Sequence, residues 1–146
     1  MNHRSSPDDL EFRRAFEAGE IAPDAFGHAA HVRLAYVYLC EGSVEAAAQR
    51  MKDSLLAFLA HLGVDAGKYH ETMTRAWIMA VHYFMEKTPA CPSAAAFSEA
   101  NPVLLDSRIM LSHYSAEVLF SPEARRAFVD PDIQSIPPRP PRDGQE

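Results

Sequence analysis

Three short stretches of this sequence hold residues that could do chemistry. His28 and His31 stand three apart in "FGHAAHVRLAYVYL", and Tyr69, His70 and Glu71 stand side by side in "KYHETMTRAW". Ser112, His113, Tyr114 and Ser115 cluster in "LSHYSAEVL". Two imidazoles three residues apart on a helix share a face and can converge on one ion, and bundle cores build metal sites from such pairs. Ala35 and Tyr38 continue that face, the small alanine leaving room beneath the rings. With His70 as a third ligand, three imidazoles and one position left for water make the pattern of a catalytic metal. Imidazole ligation suits zinc, iron, copper or nickel alike, so the expected cofactor is a divalent transition metal of open identity. The plainer alternative for the pair is two neutral histidines at the core edge, hydrogen-bonded to carbonyls.

His70-Glu71 is half of H-E-x-x-H, the zinc-protease helix, but Thr74 stands where the second histidine belongs. That helix cannot make the protease site alone. Neighbouring helical residues point about 100° apart, so Glu71 is expected as a base or as the acceptor behind a ligand, not as a fourth ligand. Arg75, four residues on, offers Glu71 a plain salt bridge instead. Tyr69 is expected on the wall of the same pocket. Tyr114 is a candidate hydroxyl donor to it, or else a ring packed inward with Ser115 capping the next helix. A serine hydrolase is disfavoured, because no G-x-S-x-G elbow exposes a serine. Arg33, in an apolar helix, needs a carboxylate if it is buried, with Glu71, Asp106 and Glu117 as candidates; otherwise it reaches out to solvent. His61 is expected to serve the C-terminus of its helix, His82 to be structural or exposed, and His3 to lie in a mobile end.

These side chains have to be carried by helices. No run alternates like a strand with turn residues at both ends, so the fold class is all-α. Helices are expected over about 7–18, 26–41 and 44–63, the second stopped by Gly42 as a left-handed cap and the third capped by Ser43 and ending at Gly63. In the third, Val44, Ala47, Met51, Leu55, Phe58, Leu59 and Leu62 make one buried stripe. A fourth covers about 69–87, ended by Thr88-Pro89. Short helices then start at Ser93, in "LLDSRIMLSHY", at Ser115 and at Ser121-Pro122. The whole is a compact bundle of about four main helices plus short C-terminal ones, as one domain over 1–130. A Pro-rich tail over 131–146, "PDIQSIPPRPPRDGQE", is expected to be extended or disordered and outside the core.

Bulk properties narrow the function classes. At 146 residues one domain can bury roughly two-thirds of its unfolded surface. The net charge of −6 and scattered basic residues argue against a nucleic-acid partner. No stretch has the roughly 20 apolar residues of a membrane span, and the N-terminus lacks the apolar core of a signal peptide. A cytoplasmic protein with a small-molecule ligand, no nucleic acid and no membrane is expected. Cys40 and Cys91 are expected as reduced, partly buried thiols.

On "FGHAAHVRLAYVYL", "YHETMTRAW", "NPVLLDS" and "YSAEVLFSPEARRAFVDPD", which together span about 26–132, the chain resembles a family of small, uncharacterised bacterial helical proteins. The resemblance implies that His28, His31, Tyr69, His70, Glu71, Thr72 and Tyr114 are the positions to watch. It also implies that an aromatic residue is more usual where His113 stands. It carries no reaction. The leading expectation is metal-assisted hydrolysis or oxidation of a small molecule in a pocket where the second and fourth helices meet. The alternative is a binding module without catalysis, holding an anionic or aromatic ligand, in which Arg33 and Arg75 matter more than the histidines. In a third reading the polar residues are structural.

Overall fold

The structure, a computed structural model, describes residues 3–136. Seven α-helices run in order: α1 (Pro7–Glu17), α2 (His28–Glu41), α3 (Val44–His61), α4 (Glu71–Lys87), α5 (Ala94–Ala100), α6 (Ala116–Leu119) and α7 (Pro122–Arg126). Single 3-10 turns cover Pro23–Ala25, Ala66–Lys68, Pro102–Leu105 and Ile109–Ser112. No strand occurs among the described residues, and none of their helices is long and apolar enough to cross a membrane.

α2 is apolar on every side and is buried accordingly. Val32 and Leu34 through Leu39 are all in the core, and the helix packs against α1, α3, α4 and α5. α3 and α4 also pack on each other, so α2, α3 and α4 enclose Met51, Phe58, Trp77, Ile78 and Val81. α4 carries α7, and the 3-10 turn of 102–105 lies across α2 and α5. Leu104, Met110, Tyr114 and Leu119 are fully buried beneath this second layer.

Caps set the boundaries. Ser6 and Asp9 form a reciprocal capping box on α1, and Ser43, Ser93, Ser115 and Ser121 each accept a backbone N–H at the start of their helices. Beyond α1, Gly19 adopts φ +76°, and a Cβ there would come within 2.6 Å of the His61 ring. His61 stands in the last turn of α3, as expected, and its ring lies against the turn at the end of α1. Gly63 takes the expected left-handed conformation, φ 70°. Gly42 does not: its φ of −174° is extended, because the chain passes straight into the Ser43 cap of α3.

Both chain ends depart from expectation. His3 is not in a mobile end: Cys91 N–H donates to its Nδ1 (3.2 Å), its Nε2–H donates to the Met85 carbonyl (2.6 Å), and its ring meets Tyr36 and Phe97 edge-on. Ile136 is 1% exposed, so the start of the expected tail joins the core; the rest of that tail lies outside the described residues. Ile133 and Gln134 N–H both donate to the His113 carbonyl, and His113 Nδ1–H donates back to Gln134.

Candidate functional site

The three histidines expected to share a metal are each committed to packing. His70 is not the first residues of a helix but its cap: α4 begins at Glu71, and Met73 N–H donates to His70 Nδ1 at 3.0 Å. Its Nε2–H donates to the Leu119 carbonyl at 2.8 Å, so both ring nitrogens are spent and the ring must be neutral. Burial holds its pKa below the ordinary histidine value, with Arg125 adding to the effect. His28 Nε2–H donates to the Leu104 carbonyl at 2.9 Å, and its ring sits edge-on to Trp77, centroids 4.5 Å apart. His31 faces Phe26, and its Nε2 is enclosed without a hydrogen-bond partner. Burial, helped by nearby His28, lowers its pKa to about 4.

An enclosed, unpartnered imidazole nitrogen is the kind of group a metal would satisfy. The donor set does not follow, however. Among the described residues no group of three or more His, Cys, Asp or Glu side chains could hold a metal ion. His28, His31 and His70 do not converge, because His70 turns toward α6 to cap its own helix while His28 turns toward the 102–105 turn.

The remaining expected site residues are dispersed in the same way. Tyr69 Oη–H donates to Glu71 Oε1 at 3.0 Å, and burial together with that carboxylate pushes the Tyr69 hydroxyl well above the ordinary tyrosine range. Glu71 also faces Lys52 Nζ at 3.7 Å, whereas Arg75 turns away from Glu71 to pair with Glu45 of α3. Thr72 is fully buried and fastens the chain after α7: its hydroxyl donates to the Ala127 carbonyl (2.9 Å) and accepts from Val129 N–H (3.0 Å). Tyr114 packs inward, its hydroxyl donating to the Val129 carbonyl at 2.6 Å. Thr74 donates to the His70 carbonyl within its own helix.

A concave site does exist, on the other side of α2. A cleft of about 460 Å³ opens between α1, α2 and α5, lined by Asp8 and Asp9 of α1, Ala29 and Arg33 of α2, and Ser93 and Ser98 at α5, among others. Arg33 finds its carboxylate in Asp9, not in Glu71, Asp106 or Glu117, because α1 packs across α2. The Asp9 carboxylate is 3% exposed and accepts three hydrogen bonds: Arg33 Nε–H (3.0 Å), Ser6 N–H (2.9 Å) and Ala94 N–H (2.9 Å). Burial alone would raise its pKa; the two backbone donors and Arg33 outweigh that and hold it below the ordinary carboxylate value. The guanidinium also lies over the Phe12 ring, 4.6 Å from its centroid. Clamped at Nε and across its face, Arg33 keeps a side chain 34% exposed, and its two terminal nitrogens form no hydrogen bond among the described residues.

A second cleft, about 280 Å³, holds Glu17, Arg50, Asp53 and Ser54. There Arg50 already bonds Glu41 and Glu17 through its two terminal nitrogens and covers the Tyr38 ring. A further cleft, about 390 Å³, is lined by Arg4, Ala90, Cys91 and Pro92. Among the described residues, the first cleft is the one in which an arginine is held in place by a buried carboxylate and a ring while its terminal donors stay uncommitted. The sequence flagged Arg33 as a polar residue in an apolar helix; nothing in it marked Asp9 as the partner of that arginine. Ser93 carried no signal beyond a helix start, and Ser98 carried none. Compared with known proteins, the chain matches no family model, no curated protein and no solved structure.

Proposed function

We propose that the protein is a small-molecule-binding module whose ligand carries a carboxylate or phosphate held by Arg33, in the cleft between α1, α2 and α5. The observation that carries this reading is the clamped guanidinium, with Nε on buried Asp9, its face on Phe12 and its terminal nitrogens uncommitted. A planar pair of N–H donors matches the two oxygens of a carboxylate or phosphate. A side chain already held in place has less conformational freedom to lose on binding, so more of the contact energy appears as affinity. The cleft volume falls in the range of small-molecule sites, roughly 300–1,000 Å³.

Thermal-shift and NMR titrations of the full chain against a panel of small carboxylates and organophosphates test this. Members of the panel are expected to raise Tm of the wild type and to move the amide signals of residues around Arg33, and Arg33→Gln is expected to lose both responses. A panel without a single binder, or binders that treat Arg33→Gln and wild type alike, sinks the reading.

A further inference from the structure

The charges around the Arg33 cleft restrict its ligand more narrowly than an arginine alone would. Its lining carries Asp8, Asp9 and Arg33, so the two carboxylates outnumber the guanidinium by one. Asp9 is buried and turned to Arg33, Ser6 and Ala94, which neutralises it within the wall. Asp8 is different. It is exposed, and it forms neither an ion pair nor a side-chain hydrogen bond among the described residues. With Asp9 and Arg33 cancelling, the cleft presents one uncompensated negative charge at Asp8 beside free donors at Arg33. An oxyanion bound at Arg33 would then meet Asp8 as a like charge on the same lining, a modest repulsion because Asp8 is exposed to solvent.

We infer that the ligand is a short zwitterion, an amine and a carboxylate or phosphate joined by a small aliphatic spacer, with the oxyanion on Arg33 and the ammonium at Asp8. This rests on the proposed anion contact at Arg33. The ammonium converts the repulsion at Asp8 into an ion pair and balances the site's charge. Ala29, Ala94 and Ala95 supply small apolar surface for the spacer, and the Ser98 hydroxyl lies on the same wall.

The test compares matched probes in NMR titrations of the labelled full chain: 4-aminobutanoate, butanoate and butylamine, with glycine and 5-aminopentanoate bracketing the spacer length. Asp8 forms no ion pair or side-chain hydrogen bond among the described residues and adds only its charge to the first turn of α1, so Asp8→Asn is expected to fold as the wild type does. The wild type is expected to bind the best amino acid of the series about fivefold or more tightly than butanoate, the factor of one modest ion pair. Asp8→Asn is expected to erase that preference, tightening butanoate binding as the like charge is removed, and Arg33→Gln to abolish binding of both. If butanoate binds the wild type in an Arg33-dependent way and no amino acid binds better, the zwitterion is overturned and the anion site stands. If no carboxylate binds, with or without an amine, both fall together.

Discussion

Asp9 is the side chain whose replacement is expected to cost most, because three donors converge on it. Asp9→Ala leaves the Ala94 and Ser6 N–H groups and the Arg33 guanidinium short of an acceptor, for a loss of about 3 kcal/mol or more in chemical denaturation. A loss no larger than that of an exposed acid such as Asp8 would show that the clamp is not formed. His31 governs the acid side of the stability curve. Its folded pKa of about 4 lies below the ordinary 6.5, so the unfolded chain binds the proton more readily. The sign follows: the contribution is complete above about pH 6.5 and is lost as the pH falls toward 4, up to about 3 kcal/mol. His31→Leu is expected to flatten that limb in denaturation curves recorded from pH 7 to 4.5. Equal slopes for variant and wild type would assign the acid sensitivity elsewhere. His70, lowered in the same direction by burial, adds to the wild-type limb and remains in the variant.

At the scale of the element, the histidine and threonine at the head of α4 act as fasteners. His70 caps the helix with Nδ1 and holds α6 with Nε2, and Thr72 holds 127 and 129. His70→Ala is expected to cost about 1–2 kcal/mol and His70→Asn, which keeps a capping acceptor, noticeably less. In both, and in Thr72→Val, amide exchange over 119–129 is expected to rise more than exchange in α2. A uniform rise would mean that α4 itself had failed. The helices could be read from periodicity and capping serines, because each signal lies within one turn of the residue it controls. The errors also have local causes. "YHE" reads as the first turn of a helix, since a histidine cap resembles a first helical residue, and Gly42 reads as a left-handed stop until the Ser43 cap is seen to follow without a turn.

At the scale of the molecule, residues 101–136 form a second layer pinned to α2 and α4 by His28, His70 and Thr72, tied within itself by Tyr114, and closed by Ile136. Ile136→Ala is expected to destabilise the whole domain by about 2–4 kcal/mol, measured by thermal and chemical unfolding. A neutral result would place that side chain outside the core. Because the three histidine rings do not form a ligand set, chelator treatment is expected to leave Tm unchanged, and His28→Ala to change stability without changing metal content. A stoichiometric transition metal that is lost in His28→Ala would reverse this.

Residue order settles what short range controls: an all-α chain, a buried second helix, the capped starts, and an unusual histidine pair and arginine. The site was decided by tertiary structure. Whether His28, His31 and His70 meet depends on which way each ring turns once a second layer of backbone carbonyls arrives, and those carbonyls belong to Leu104 and Leu119, far along the chain. Arg33 had three plausible carboxylates by composition, but only the packing of α1 across α2 brought Asp9 to it. Ion pairing and ring orientation are settled by distances between helices, and one chain's residue order does not encode those distances at any fixed spacing.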